Sequence, residues 1–129
     1  MKELSVKTNN VQELVNITGQ IQAEVEDSGI KEGLCLVQVP HTTAGVTINE
    51  GADPAVKGDI IMALSRIVSD SWPYRHAEGN SPAHVKTSLM GSSAFIPVEG
   101  GRLKLGTWQQ VFFCEFDGPR QRRFWVTIK

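Results

Sequence analysis

The sequence lacks the features that mark membrane, secreted and nucleic-acid-binding proteins. No apolar run approaches the roughly 20 residues that a membrane-spanning helix needs. The 13 Lys and Arg residues nearly balance the 14 Asp and Glu residues, so no overall attraction to nucleic acid or to an anionic membrane is expected. Residues 1–10 carry charges and lack the apolar stretch of a signal peptide. We therefore expect a cytoplasmic, soluble protein with neither a membrane nor a nucleic-acid partner.

Cysteine is also scarce. Cys35 and Cys114 are the only two, and each lies inside an apolar run far from the other. There is no C-x-x-C pair, which disfavours a cysteine zinc site. Without a secretion signal, two buried and reduced thiols are expected rather than a disulfide.

The apolar and turn-forming residues predict one α+β domain that spans residues 1–129. The chain is 40% hydrophobic and has no linker, repeat or low-complexity tract. The predicted elements are a strand at 3–8, a helix at 11–27, strands at 33–39 and 45–48, a helix at 53–68, a short helix from Ser81 to Gly91, and strands at 92–98, 102–105, 108–117 and 123–128. Hairpin-length connections in the last third indicate a mainly antiparallel sheet, with two main helices packed against it.

The predicted first helix depends on spacing and on a capping pattern. Asn10 followed by Glu13 resembles a capping box, and Gly29 is a plausible end. Apolar residues and one threonine recur at helical intervals between them: Val11, Leu14, Val15, Thr18, Ile21 and Val25.

The strand at 108–117 carries apolar side chains on both faces. Alternation places Phe112, Cys114 and Phe116 on one face, and Val111, Phe113 and Glu115 on the other. We expect helices to cover one face and another subunit to cover the other, which favours an oligomer.

Three histidines are the first candidates for chemistry. His41 follows a predicted buried strand, and His76 and His84 flank the polar loop 77–80. Three neutral imidazole nitrogens can hold a first-row metal such as zinc and leave a fourth position open. The spacing matches neither H-E-x-x-H nor a zinc finger, so surface or structural roles remain open on the residues alone.

Two acidic residues follow the strand after His41. Glu50 ends this strand beside a glycine and can be a general base, a group that orients a ligating imidazole, or a surface charge. Asp53 precedes Pro54 and is explained as the cap of the second helix.

Two segments are suited to anions. The backbone amides of a helix that opens at Ser81 favour an anion, and Asn80 and Ser81 add hydrogen-bonding groups, although an ordinary cap has the same pattern. Arg120 follows a tight turn and begins a basic stretch with Arg122 and Arg123. Arginine binds phosphate through two parallel hydrogen bonds, but three arginines at a hairpin are also typical of solvated surface.

Several short motifs together resemble one known family, and they run in its order over essentially the whole chain. They are HTTA at 41–44, INE at 48–50, DP at 53–54, YRH at 74–76, Asn80 with AH at 83–84, LGTWQ at 105–109, and EFDGPR at 115–120. The chain is similar to the YjbQ-like proteins, an uncharacterised protein family labelled secondary thiamine-phosphate synthase.

The resemblance implies a barrel-like antiparallel sheet and a homotrimer. It further implies that His41, His76 and His84 converge on a divalent metal, zinc or, with a diphosphate substrate, magnesium. The substrate-binding candidates that it implies are Thr42, Thr43, Asn80, Ser81, Trp108, Gln109 and Arg120. The catalytic candidates are Glu50, for proton transfer or for orienting an imidazole, and Asp53, which caps its helix and orients the loop.

The activity that the resemblance implies joins two small phosphorylated molecules. A hydroxymethylpyrimidine diphosphate alkylates the nitrogen of a thiazole phosphate, and pyrophosphate leaves. One alternative is a hydrolase in which Glu50 deprotonates a metal-bound water that attacks a phosphoester or amide. The other is a trimer that binds a metal or ligand without catalysis.

Overall fold

The computed structural model describes all residues, 1–129, as an α+β fold of eight strands and three helices. The strands are β1 (Lys2–Lys7), β2 (Glu13–Asn16), β3 (Glu32–Gln38), β4 (Ala44–Glu50), β5 (Ser93–Glu99), β6 (Arg102–Leu103), β7 (Gln109–Glu115) and β8 (Gln121–Ile128). The helices are α1 (Thr18–Ser28), α2 (Pro54–Ile67) and α3 (Ser81–Met90). None of these helices combines the length and the apolar character that crossing a bilayer requires.

The strands form two antiparallel sheets that curl around the main core. One sheet has the order β1-β8-β3-β5-β6, and the other has the order β2-β7-β4. The core contains Val6 of β1, Ile21 of α1, Phe113 of β7 and Phe124 of β8, so it lies between both sheets and the first helix. The predicted α+β class and antiparallel sheet are confirmed, and α3 is the short third helix predicted from Ser81.

Strand β7 is covered on both faces by its own chain. Val111 and Phe113 belong to the main core, whereas Phe112, Cys114 and Phe116 pack in a second cluster with Leu64 of α2 and Ala83 of α3. The predicted alternation is confirmed. The expectation that another subunit covers one of these faces is wrong, because the other sheet and α1 already do so.

The first helix is shorter than predicted. Residues 13–16 form β2, which pairs with β7 so that Leu14 lies opposite Cys114 and Val15 opposite Phe113. The helix begins only at Thr18 and ends, as predicted, at Gly29, whose φ of 72° is in the left-handed region. Adjacent apolar residues fit a strand that is covered on both faces as well as they fit a helix, and pairing with β7 decided between the two.

The predicted caps and thiols had mixed outcomes. Asp53 caps α2 by accepting a hydrogen bond from the Ala55 amide at 2.9 Å, as predicted. The Asn10 side chain does donate to Glu13 at 2.7 Å, but it closes a turn before β2 rather than a helix. Cys35 and Cys114 are both buried and free, and burial raises their pKa values to about 11 and about 12.

Candidate functional site

A polar cavity of about 450 Å³ lies where β3, β7 and β8 meet the start of α3. Its lining consists of Pro40, His41, Thr42, Thr43, His76, Glu78, Asn80, His84, Asp117, Arg120 and Arg122. Apart from Pro40, every one of these residues is polar or charged. We call this cavity the histidine pocket, and its composition suits a hydrophilic ligand.

All three histidines line this pocket, whereas the residues alone had left surface roles open and only the family resemblance implied that they converge. The rings of His76 and His84 meet edge to face, with their centroids 5.3 Å apart. Nε2 of His76 lies 3.8 Å from a carboxylate oxygen of the neighbouring Glu78. The ring of His41 instead lies edge-on to Phe113 of the core, at a centroid distance of 6.4 Å.

His41 substitutes for a strand partner of β8. Continuing the β3–β8 register beyond Gln38 and Trp125 would place Pro40 opposite Arg123. Proline has no amide hydrogen to donate there. Nε2 of His41 lies 3.1 Å from both the amide nitrogen and the carbonyl oxygen of Arg123. The imidazole therefore hydrogen-bonds with the backbone at the point where the sheet loses a strand.

The environment of His41 favours its neutral form. Burial lowers its pKa, and the positive charges of Arg122 and Arg123 lower it further. The hydrogen bond with the Arg123 backbone and the charge of Glu115 oppose the shift but do not cancel it. A neutral imidazole can accept a proton or a hydrogen bond, depending on its tautomer.

The three histidines do not form the predicted metal site. Nowhere in the structure are three His, Cys, Asp or Glu side chains grouped so that they could hold one metal ion. Nε2 of His41 is engaged with the backbone, and only His76 and His84 lie side by side. The arrangement does not fit a three-histidine zinc site, although all three rings share the pocket.

A buried ion pair forms the floor of the pocket. The Arg122 side chain is 3% exposed and the Glu115 side chain is fully buried. Nε of Arg122 donates to Glu115 Oε1 at 2.9 Å, and Nη2 donates to Oε2 at 2.5 Å. Thr43 accepts from Arg122 at 2.8 Å, and Thr8 donates to Glu115 at 2.8 Å. The interpretation of Arg122 as solvated surface is therefore wrong.

Hydrogen bonds keep Glu115 ionised. Burial alone would raise its pKa, but donors from Arg122, Thr8 and the Asp117 amide, together with the Arg122 charge, hold the pKa below its usual value. A carboxylate with this many donors is firmly fixed. Its hydrogen bonds hold the Arg122 guanidinium in place, and the guanidinium in turn holds the Thr43 side chain at the pocket floor.

Arg120 is held by the turn that follows β7. Its Nε donates to the Asp117 carbonyl at 3.0 Å, and its Nη2 donates to the Asp117 carboxylate at 3.2 Å. Asn80 donates to the same carboxylate at 2.9 Å, which joins this turn to the start of α3. Half of the Arg120 side chain is exposed, so a ligand can reach its remaining N–H groups.

The start of α3 also borders the pocket. Asn80 is the N-cap residue, but its side chain makes no cap hydrogen bond because it is bonded to Asp117. Ser81 is the first residue of the helix and does not line the pocket itself. Of these two predicted binding residues, the structure thus places Asn80 in the pocket wall and Ser81 immediately behind it.

Four predicted residues lie at the far end of β4 and β7. In the register of this pair, Ala44 lies opposite Glu115, and Glu50 lies opposite Gln109. Six residues of extended strand span about 20 Å. Glu50 is therefore remote from the histidine pocket within one chain, and so are the others of this group: Asp53, Trp108 and Gln109. Trp108 is 62% exposed.

The sequence reasoning missed Asp117, Glu78 and the pairing of Glu115 with Arg122. A signal for Arg122 was present, because it alternates in phase with Phe124 and Val126 and therefore belongs to the inward face of β8. Glu115 shares the inward face of β7 with Val111 and Phe113 in the same way. Opposite charges on two inward faces joined by a short turn predict a buried pair.

Comparison with known proteins places this architecture in a family. The family model described as UPF0047 protein YjbQ-like matches residues 2–129. The UPF0047 protein MJ1081 of Methanocaldococcus jannaschii is 53% identical over 123 residues, covering 95% of this chain and 89% of that protein. The UPF0047 protein YugU of Bacillus subtilis is 46% identical over 131 residues, covering 99% and 98%.

Solved structures agree with this assignment. A crystal structure of an uncharacterised YjbQ/UPF0047 family protein from Clostridium acetobutylicum has a TM-score of 0.98 and 50% identity, with all of both chains covered. A conserved hypothetical protein from Thermus thermophilus has a TM-score of 0.93 and 44% identity, again over both whole chains. The resemblance inferred from the motifs is confirmed, and the chain belongs to the YjbQ-like UPF0047 family.

Proposed function

We propose that the histidine pocket binds a phosphorylated small molecule and that the protein is a thiamine phosphate synthase. The observation that carries this proposal is a pocket of about 450 Å³ with two arginines, three histidines and an almost entirely polar lining. Arg120 is fixed by Asp117 and still exposes donors, an arrangement suited to a phosphate or a leaving pyrophosphate.

The proposed reaction needs stabilisation of charge rather than removal of a proton. The bond between the pyrimidine methylene carbon and the diphosphate oxygen breaks, and pyrophosphate leaves with both bonding electrons. The thiazole nitrogen forms the new bond to carbon with its lone pair and becomes a cationic ring nitrogen. No proton leaves the nucleophile, so the groups that matter are donors and cations placed at the leaving group.

The pocket supplies groups of this kind. Arg120 donates to the departing pyrophosphate, and Thr42 adds a hydroxyl to the same wall. Arg122 is committed to Glu115 and Thr43, so it contributes a fixed positive charge at the floor. The lowered pKa of His41 favours a neutral imidazole, which contributes a hydrogen bond but no positive charge to the pocket.

The position of Glu50 separates this reaction from the hydrolase alternative. Hydrolysis requires a base for the attacking water, and Glu50 was the predicted base. Because it lies about 20 Å from the pocket along β4, transfer is favoured over hydrolysis within one chain. The other alternative, a protein that binds the same ligands without catalysis, would bind them in this pocket but form no product.

Turnover of two defined substrates tests the proposal. Purified protein is incubated with the pyrimidine diphosphate and the thiazole phosphate, and thiamine phosphate is measured by chromatography. Arg120→Gln should lower kcat/KM about 100-fold, as the loss of a charge-stabilising donor does. Arg102→Gln is the matched control, since this exposed arginine lies away from the pocket and reaches Glu26 only at 4.0 Å.

Two results would contradict the proposal in different ways. If wild-type protein binds pyrophosphate in calorimetry but forms no thiamine phosphate, with or without added zinc or magnesium, the pocket binds anions without catalysis. If Arg120→Gln binds pyrophosphate as tightly as wild type does, the pocket is not the anion site.

The divalent metal remains a separate prediction. His76 and His84 would supply two nitrogens, and a third ligand would require His41 to give up its backbone hydrogen bond. Elemental analysis before and after dialysis against a chelator measures the metal content. One zinc per chain in wild type and none in His84→Gln would support the metal despite the present geometry.

We also propose the homotrimer, now on a different surface. Leu34 and Phe95 are 51% and 67% exposed on the neighbouring strands β3 and β5, and both lie on the outer face of the five-stranded sheet. Such an apolar outer face is suited to contact between copies. Light scattering should give three times the 14.2 kDa chain mass, and Phe95→Asp should lower it. A wild-type mass of one chain would contradict the trimer.

A further inference from the structure

The segment that joins α2 to α3 is held to the rest of the protein at few points. Residues 71–79 have no regular secondary structure, and all of them except the half-buried Tyr74 are exposed. Their hydrogen bonds reach no residue outside 69–80: Ser71 and Tyr74 bond to Ser69, and the Tyr74 amide bonds to Trp72. A segment with so few buried contacts opens at a low cost in free energy, so residues 71–79 are able to move.

A hinge is present where this segment meets α3. Gly79 has a φ of 75°, in the left-handed region that glycine adopts without strain, and a Cβ at this position would meet no atom within 4 Å. A glycine in open space can absorb a change in φ and ψ without displacing neighbouring side chains. The next residue, Asn80, is fixed by its hydrogen bond to Asp117, so motion of the segment would end at Gly79.

In its present position the segment places a negative charge at the histidine pocket. Glu78 lines the pocket, and its exposed carboxylate lies 3.8 Å from Nε2 of His76. The other carboxylate of the lining, Asp117, is already paired with Arg120. An anion bound to Arg120 would be repelled by Glu78, which favours a different position of the segment when the pocket is occupied.

The same segment carries a positive charge that does not reach the pocket. Arg75 is exposed, belongs to none of the protein's ion pairs and does not line the pocket. Its Cα is one peptide unit, about 3.8 Å, from that of His76, whose ring does line the pocket. Arg120 is the only arginine there with free N–H groups, because Arg122 is committed to the buried ion pair. A diphosphate carries more negative charge than one guanidinium balances, so a second arginine would complete the site.

We propose that residues 71–79 form a lid that closes over an anion in the histidine pocket and brings Arg75 into contact with it, while Glu78 turns outward. The class of ligand is a molecule with two linked phosphates, of which Arg120 binds one and Arg75 the other. This role of Arg75 rests on the anion site of the proposed function and does not depend on its transfer step.

Calorimetry with pyrophosphate tests the role of Arg75. Arg75→Gln should weaken binding to the full chain at least about tenfold, as the loss of a hydrogen bond from a charged donor does. Arg102→Gln removes one exposed positive charge away from the pocket and should bind pyrophosphate within about twofold of wild type. Orthophosphate has no second phosphate for Arg75, so its affinity should fall much less in Arg75→Gln. Equal losses in the two arginine variants, or no loss in Arg75→Gln, would overturn the proposal.

Limited proteolysis of the wild-type protein measures closure and needs no variant. Trypsin cuts exposed chain after arginine, so the bond between Arg75 and His76 is a cleavage site in the open segment. Pyrophosphate should slow this cleavage about tenfold, because proteolysis follows the population of the open form. Cleavage between Arg102 and Leu103 in the same digest should be equally fast with and without pyrophosphate. Unchanged cleavage after Arg75 would contradict the lid.

The outcomes separate the lid from the proposed function. Pyrophosphate binding that depends on Arg75 and protects the segment, without formation of thiamine phosphate, supports the lid and removes the transfer activity. Turnover accompanied by pyrophosphate binding that depends on Arg120 but not on Arg75 supports the activity and removes the lid.

Discussion

The two ends of the β4–β7 pair carry different kinds of polar residue. At one end, Ala44 lies opposite Glu115, and buried charges are bonded to each other beneath the histidine pocket. At the other end, Glu50 lies opposite Gln109, beside an exposed Trp108. At the first end, the buried Arg122–Glu115 pair holds side chains of the histidine pocket in place. At the second end, Glu50 and Trp108 line none of the main cavities.

The difference shows what makes a polar residue available for chemistry in this fold. Arg122 and Glu115 can be buried because each neutralises and hydrogen-bonds the other. Arg122 also donates to Thr43, and Glu115 accepts from the Asp117 amide, so the pair positions both residues. Glu50 has no buried partner of this kind, and its backbone amide donates to the Asn49 side chain at 2.7 Å. Four predictions test this contrast.

The largest effect is expected at the buried end. Arg122→Met leaves the Glu115 carboxylate buried without its partner, and we expect the free energy of unfolding to fall by about 3–5 kcal/mol. Chemical denaturation measures it. Arg123→Met is the control, since this neighbouring arginine is exposed and lies 3.5 Å from Glu3, an arrangement worth at most about 1 kcal/mol. Similar losses in both variants would contradict the contrast.

The same pair should make stability depend on pH. The pKa of Glu115 is lower in the folded protein than in the unfolded chain, so its ionised form stabilises the fold above the unfolded value, about 4.3. That contribution is lost as the pH falls through the folded value. The difference in unfolding free energy between wild type and Glu115→Gln should therefore stay constant from pH 7 to about pH 5 and shrink as the pH falls from there to pH 3. A difference that is unchanged down to pH 3 would show that Glu115 is not ionised in the fold.

A smaller effect is expected at Asp53. Asp53→Ala removes the cap of α2 and should lower the free energy of unfolding by about 1 kcal/mol while leaving turnover intact. Melting temperature and thiamine phosphate formation are measured together. Asp59→Ala, at an exposed position inside the same helix, should change stability by no more than about 0.5 kcal/mol. Loss of turnover in Asp53→Ala at unchanged stability would give Asp53 a catalytic role.

The smallest effect is expected at Glu50. Glu50→Gln should leave transfer unchanged, because the reaction needs no base and the strand holds this residue away from the pocket. Removal of a true general base would instead cost about 10²–10⁴-fold in rate. A loss of that size at an unchanged melting temperature would mean that another copy of the chain brings Glu50 to the pocket.

Local patterns in the sequence were sufficient for much of the fold. The Asp53-Pro54 helix start, the α3 helix ending at Gly91 and the alternation of β7 all depend on neighbouring residues, and all are observed. The segment at 13–16 was misassigned because its spacing fits both a helix and a strand. The strand forms because one edge of β7, about 100 residues away in sequence, is free to pair with residues 13–16.

The candidate site divided in the same way. The family resemblance, and not residue spacing, grouped the histidines with Thr42, Thr43, Asn80 and Arg120, and these residues do line one pocket. Glu50 was placed with His41 because the two are close in sequence, but an extended strand carries neighbours in sequence far apart. The partners of Lys86 and Arg122 come from residues 74 and 79 positions away, which no spacing rule connects.

The contact between His41 and the Arg123 backbone links the state of a pocket side chain to one backbone amide of β8. The Arg123 amide points to the imidazole rather than to a strand, so its hydrogen bond lasts only while Nε2 can accept. Protonation of that ring, or capture of it by a ligand or metal, would leave this one amide unprotected while its neighbours in β8 stay in their ladders. Hydrogen exchange at the Arg123 amide should therefore report protonation or capture of the His41 ring, whatever the substrate is.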